Sequence, residues 1–191
     1  MIIRTILSKL PRTKSALIEQ LQAGDNKLAL DALRKMQAVG WTQDGTLAGL
    51  NLSKANLQNA RLARAEMEGV NLSEANLRGA YFGATNLNAA NLTAASLQDA
   101  NLGDARLSGA KLDGADLRAT HLAAANLQNA SLRGANLQSA NLWHTDLRGA
   151  DLTGADLSHA NLSDVRLDEH TVLPDGSRWK PGVDLNEFVI K

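Results

Sequence analysis

The chain has 191 residues, balances 20 basic against 20 acidic side chains, and is 44% hydrophobic but only 3% aromatic. Zero net charge removes any general attraction to nucleic acid or an anionic membrane, and the absence of cysteine excludes disulfide and thiolate chemistry. Length allows one domain with short appendages, and its core must be thin and aliphatic. No apolar stretch approaches the roughly 18 residues needed to cross a bilayer. The start, Met1-Ile2-Ile3-Arg4, lacks the apolar core of a secretory signal, so a cytoplasmic location is expected.

Residues 1–44 read as helical. Ile2, Ile3, Ile6, Leu7 and Leu10 have helix-like spacing before Pro11. Ala16, Leu17 and Leu21 predict a second short helix ended by Gly24. Asp25 is the expected N-cap of a third, with Leu28, Ala29, Ala32, Leu33 and Met36 as its apolar stripe and Gly40 as its stop. Trp41 then leads into the next segment. Capping is the expected role of this segment, because a solenoid's first coil exposes apolar side chains and unpaired backbone.

Residues 45–169 obey a different rule. From Leu47 to Leu167 every fifth residue is leucine except Met67 and Phe82, giving 25 units without a slip in register. Two residues before each leucine stands a small residue, usually alanine, as in Ala55-Asn56-Leu57-Gln58-Asn59 and Ala135-Asn136-Leu137-Gln138-Ser139. Five residues advance an α-helical side chain by about 500°, so the leucines would wander around a helix. On a straight strand an odd period sends them to alternate faces. They share one interior only if the backbone turns a corner in every unit. Glycine closes units at 49, 69, 109 and 149 and again at 114, 134 and 154, which suggests corners stacked every 20 residues.

These A-[N/D]-L-x-x units resemble the pentapeptide-repeat family. The resemblance implies an all-β solenoid, a right-handed quadrilateral β-helix with four units per coil and so about six coils. At a spacing of about 4.8 Å the rod would be about 30 Å long. The expected core stack includes Leu57, Leu62, Met67, Phe82, Leu102, Leu122 and Leu142, with alanine filling the narrow space beside it. The asparagines at 56, 76 and 136 can bond along the stack.

Residues 170–191 leave the repeat. Thr171 to Trp179 reads as a hairpin around Pro174-Asp175-Gly176. The chain thus divides into a helical N-terminal cap (1–44), a β-helix (45–169) and a short C-terminal hairpin cap with a tail (170–191). Trp41 and Trp179 are the expected cap residues, Trp179 as a lid over the last leucines.

Nothing in the sequence assembles a catalytic, metal or cofactor site. His121 and His144 fall on one face but at opposite ends of their units, and His159 falls on the next. Asp116, Asp146, Asp151 and Asp156 precede leucines, where an outward hydrogen-bonding role is expected. A filled square rod offers flat walls and no pocket, so the chain is read as non-enzymatic.

Folding into coils of 20 separates four faces. Three carry charges of both signs, and the segment sums to 13 acidic against 10 basic residues. The fourth, through Leu62, Phe82, Leu102, Leu122, Leu142 and Leu162, has only Arg61, Arg64, Asp104 and Asp164 as charges. Small residues there surround Tyr81 and Trp143, a composition suited to contact. The candidate interaction face is Arg61, Tyr81, His121, Trp143 and His144. Alternatively, the chain's own terminal segments lie across it. The expected function is a protein-binding or structural scaffold, a rigid rod presenting flat faces to an unidentified protein partner, as monomer or homodimer, without nucleic acid, membrane or cofactor. The resemblance also brings an alternative, a DNA-mimicking binder of type II topoisomerase of the quinolone-resistance type. That role requires a strongly acidic surface.

Overall fold

The computed structural model describes residues 13–189; the helix predicted over Ile2–Leu10 lies outside them. From Asn51 onward, residues pair in parallel with those 20 positions later: Asn51 with Asn71, Arg61 with Tyr81, and so on to Asp146 with Arg166. Within each unit a four-residue turn closes from an alanine-position N–H onto the preceding leucine carbonyl, as Ala65 to Leu62 and Ala105 to Leu102, both 3.0 Å. A 20-residue register with a turn every five residues is a tube with four sides. Each side is a single bridged residue between turns, too short for a strand of ordinary length.

The third residue of each turn has positive φ and the second does not, which is the type II pattern. All 24 such corners from Gly49 to Asp164 take this conformation, and 16 of them are not glycine. The glycine series in the sequence therefore does not single out particular corners. Glycine occupies some positions of a demand made at every corner, and Ala89, Ala94 and Lys54 meet the same demand at φ 55°, 55° and 60°.

The backbone explains the residue before each leucine. In a typical unit the leucine N–H donates to the next coil (Leu122 to the Asn141 carbonyl, 2.8 Å), as does the corner N–H (Ala124 to Trp143, 2.9 Å). The N–H before the leucine donates to the previous coil (His121 to Ala100, 2.9 Å), and the alanine-position N–H closes the turn. The N–H after the leucine is left over, and a buried donor without a partner is costly. Asparagine or aspartate two residues earlier accepts it: Ser53 N–H to Asn51 Oδ1 at 3.2 Å, Gln128 to Asn126 at 3.0 Å. Where that residue is Arg106 or Ser131, the previous coil supplies the acceptor. Ser108 donates to Asn88 Oδ1 at 3.0 Å and Arg133 to Asp113 Oδ1 at 3.1 Å. Stacking bonds between asparagines also occur, Asn76 to Asn56 at 3.3 Å, whereas Asn136 accepts from the Gln138 N–H at 3.1 Å.

Leu57, Leu62, Met67, Phe82, Leu102, Leu122 and Leu142 are all at most 1% exposed, and the alanine column beside them is buried as fully. Threonine enters that column only with its hydroxyl satisfied: Thr85 donates to the Leu62 carbonyl at 2.6 Å and Thr145 to Leu122 at 2.8 Å.

Helix α1 (Lys14–Gln22) starts at Thr13, whose side chain accepts from the Ala16 N–H, and α2 (Asn26–Ala38) starts at Asp25, which accepts from Leu28 at 3.1 Å. The buried stripe of α2 is Ala29, Ala32, Leu33 and Met36. Leu28, expected in it, is 43% exposed, because it lies about 100° around the helix from Ala29. Both helices meet the first coil, which has no coil before it to donate hydrogen bonds. Gln22 Nε2 donates to the Asn51 carbonyl at 2.9 Å, Asn26 Nδ2 to Gln58 at 3.0 Å, and Gln37 Nε2 to Arg61. On the side through Met67 the Glu66 N–H finds the Thr42 carbonyl at 2.8 Å. Trp41 packs half-buried against the core, with Lys14 Nζ 5.2 Å from its ring centroid.

At the other end the tube outlasts the five-residue rule. Val172 pairs with Asp151, 21 positions away, and Leu152 and Gly154 donate to the carbonyls of Val172 and Pro174 at 2.9 and 2.8 Å. Residues 171–174 are thus a further side of the tube after one inserted residue, and Leu173 is 2% exposed in the leucine position. Asp168 repairs the insertion: its carboxylate accepts the Gly149 N–H at 2.9 Å, where a backbone carbonyl accepts in regular coils. The hairpin is present, with Val172 bridged antiparallel to Arg178 and the Trp179 N–H bonded to the Thr171 carbonyl at 2.9 Å. The last leucines, however, share their apolar cleft with Leu185 and Phe188, from a 3-10 helix (Leu185–Phe188), where the sequence pointed to Trp179. The tail folds back, and His159 donates to the Val189 carbonyl at 2.8 Å.

Candidate interaction face

The bridges place Arg61, Tyr81, Asn101, His121, Asn141 and Asn161 in one ladder up a single wall. Trp143 and His144 occupy the turn that leaves the same wall one coil above His121, with ring centroids 5.7 Å apart. Tyr81 and Trp143 are each 48% exposed, although the inside of their wall from Leu62 to Leu142 is fully buried leucine and phenylalanine. The N-terminal segment meets this wall only at its first rungs, where Gln37 Nε2 of α2 donates to the Arg61 carbonyl and Gln43 borders Arg64 and Tyr81; among the described residues the tail bonds at the last coil, through His159.

The two rings of the ladder lie close to the backbone. Tyr81 Cε1, Cζ and Oη are each 3.4 Å from where a Cβ on Gly83 would sit, and His121 Cδ2 is 3.1 Å from the same point on Gly103. Neither glycine has positive φ; what each provides is room for a ring. Sequence reading counted them only as small. The signal was available, since the position after the leucine is glycine only at 83 and 103, both on this wall. An open depression results, bordered by Arg64, Tyr81, Gly83, Gly103, Asp104 and His121.

Polar anchors hold the rings. Trp143 Nε1 donates to Asp164 Oδ2 at 3.0 Å. Asn141 Nδ2 donates to His121 Nδ1 at 3.2 Å, while Asn141 Oδ1 accepts from the Trp143 N–H and from Asn161 Nδ2, both at 3.1 Å. Asp164 and Asn141 are thus part of the face, though sequence reading assigned them no role there.

The other walls pair many of their charges within themselves. Arg106 pairs with Glu66 at 3.2 Å, Arg133 with Asp151 at 2.9 Å, and Arg78 with Asp99 at 3.5 Å. Arg118 and Arg148 each grip the aspartate two residues earlier, at 2.7 Å. Those guanidinium bonds hold Asp116 and Asp146 down at about 2. Asp116, Asp146, Asp151 and Asp156 each also accept the N–H two residues on, the outward hydrogen-bonding role expected of them. On the fourth wall, among the described residues, neither Arg61 nor Arg64 forms an ion pair with Asp104 or Asp164. No group of three or more His, Asp or Glu among the described residues is placed to hold a metal ion. No helix among them is long and apolar enough to cross a membrane.

No curated protein matches the chain. Among solved structures it is similar to HetL, a pentapeptide repeat protein involved in heterocyst differentiation regulation from the cyanobacterium Nostoc sp. strain PCC 7120, at 20% identity over 78% of this chain and 98% of that one, TM-score 0.36. It is similar to a pentapeptide repeat protein from the Arabidopsis thaliana thylakoid lumen, at 30% identity over 63% and 73%, TM-score 0.39. A third is QnrB1, a plasmid-mediated fluoroquinolone resistance protein, at 20% identity over 65% and 84%, TM-score 0.41. The profile of the family Pentapeptide repeats matches in 8 copies over stretches running from residue 46 to residue 168. With an unbroken five-residue unit, four sides per coil and a family match over most of its length, this chain belongs to the pentapeptide repeat family.

Proposed function

We propose that the protein is a non-enzymatic scaffold that binds a protein partner through the wall carrying Arg61, Tyr81, His121, Trp143 and His144. One observation supports this most directly: the two half-exposed aromatics of the solenoid stand on one smooth wall, while the other walls pair their own charges. Aromatic anchors on a small-residue surface are the composition of binding hot spots. The rod is a right-handed β-helix of about six coils, its first coil covered by α1 and α2 and its last by the hairpin and the 3-10 helix. That stiffness suits it to presenting a surface without the ordering cost of a loop. The cell compartment that fits is the cytoplasm.

The test is recovery of bound proteins from a host lysate by the native chain and by the Trp143→Glu and Tyr81→Glu variants. A partner retained by the native chain and lost by both variants supports the reading; equal recovery by all three refutes it. The DNA-mimic reading draws no support from the surface. Its carboxylates are dispersed and several of them are paired with arginines, whereas duplex DNA carries one negative charge per ~1.7 Å. Unchanged gyrase supercoiling and quinolone sensitivity at high molar excess of the protein would remove it.

A further inference from the structure

We infer that the partner of this wall is a second copy of the same chain, packed wall to wall with the two rods antiparallel; this rests on the binding-face reading above. The wall is self-complementary. A twofold axis lying in the interface and perpendicular to the rods exchanges the two ends of the wall but keeps each residue's place across it. The ladder Arg61, Tyr81, Asn101, His121, Asn141, Asn161 has six rungs, so the first meets the sixth, the second the fifth and the third the fourth.

Under that operation the corner residue Arg64 faces Asp164, and does so twice. Trp143 faces Gly83, where the Tyr81 ring fills the space a Cβ would occupy, so the two exposed aromatics meet ring to ring. Gly103 faces Ala123, leaving the middle smooth enough for close approach. Both arginines of the wall stand at one end and Asp164 at the other, so antiparallel pairing puts opposite charges together. Parallel pairing about an axis along the rods instead brings Arg61 of each copy against Arg64 of the other, four guanidinium groups at one end. Charge thus selects the antiparallel register.

The wall is about 30 Å long and about 10 Å wide, so the dimer buries on the order of 600 Å² over both copies, the size of a weak, reversible interface. Dissociation in the range of about 10 to 500 µM is expected. The experiment is sedimentation equilibrium of the full chain over a concentration series, with Arg64→Asp, Asp164→Arg and the double exchange. Both positions are exposed corners already at φ 58°, so the fold tolerates either residue, and far-UV circular dichroism checks this. Each single exchange sets like charges together and weakens the dimer about tenfold, Asp164→Arg by more because it also frees Trp143 Nε1 from its acceptor; the double exchange regains the opposite-charge pairing and dimerises more tightly than either single variant.

A monomer at every concentration overturns the proposal. So do a dimer indifferent to all three variants and a dimer strengthened by Arg64→Asp, the sign expected of parallel rods. A monomeric result leaves the binding-face reading standing, since that reading falls only if Trp143→Glu and Tyr81→Glu recover the same host proteins as the native chain.

Discussion

Shortening one leucine in the middle of the stack should cost far more than shortening the same residue at its end. Leu122 is 1% exposed, and the coils on either side are pinned through its own N–H to Asn141 at 2.8 Å and through Leu102 to His121 at 2.7 Å. Leu122→Ala removes three carbons from a space whose walls are held apart by those bonds, so the cavity cannot close. That places the loss in the upper part of the range for buried leucine, about 3–5 kcal/mol. Leu162 is only half-buried beside the end cleft, and its truncation loses mainly transfer energy, about 1–2 kcal/mol. Urea unfolding followed by far-UV circular dichroism checks both. With a slope of about 2 kcal/mol/M, the Leu122→Ala midpoint falls by about 1.5–2.5 M and that of Leu162→Ala by less than about 1 M. Equal shifts, or a Leu122→Ala shift below about 0.5 M, would falsify the picture of a rigid, non-collapsing stack.

Asn88→Ala removes the acceptor of the Ser108 N–H on the next coil; it should cost about 1–2 kcal/mol in the same urea assay, while Asn88→Asp keeps the native midpoint. At the corner Ala94, φ 55°, a β-branched residue is strained, so Ala94→Val should lose about 1–2 kcal/mol and Ala94→Gly should lose nothing. Asp116 and Asp146 are held at about 2 by Arg118 and Arg148, below the ordinary 3.8. A lowered carboxylate stabilises fully above the unfolded value and progressively less as pH falls toward the folded one. The native stability read from urea unfolding should therefore drop between pH 4 and pH 2 by about 1 kcal/mol per pair, allowing for the half-exposed arginines. Arg118→Ala with Arg148→Ala should flatten that drop. Phe188→Ala should destabilise the C-terminal end by about 1.5–3 kcal/mol and Trp179→Ala by less, read from hydrogen exchange of the last coil.

The tube was legible because its physics repeats. Leu57 and Ala60 say what Leu137 and Ala140 say, so 25 copies of one statement outweigh any single ambiguity. What stayed hidden lies where the repetition stops. The extra residue before Thr171 breaks the five-residue count, so the last side of the tube looked like the start of a separate cap. Its membership shows only in space, where the Thr171 hydroxyl bonds to the Leu147 carbonyl at 3.1 Å as Thr145 does to Leu122. Phe188 was overlooked as the end cover because nothing local marks where a tail of that length will land. Trp179 drew attention by size alone. On the candidate wall, Arg61, Tyr81 and His121 could be aligned by counting in twenties, but the bonds from Trp143 to Asp164 and from Asn141 to His121 depend on rotamers that a count does not supply.

The same accounting explains why one wall can be specialised at little cost to the fold. Of the outward positions in a unit, only the residue before the leucine has a backbone duty, and even that can pass to a neighbouring coil, as Asn88 and Asp113 demonstrate. The other outward positions are constrained by little beyond the positive φ at the corner, so their side chains can change without disturbing the stack of leucines beneath. Gly83, Gly103 and Trp143 stand where the fold asks for nothing in particular, and Tyr81 takes the position before Phe82 that asparagine holds at Asn101 and Asn141 of the same ladder. A random surface would scatter aromatics and ring-sized glycine gaps over all four walls. Their collection on one, with arginines gathered at its first rung and Asp164 at its last, is a departure that packing inside the tube does not require. Contact with another surface supplies a physical reason for it.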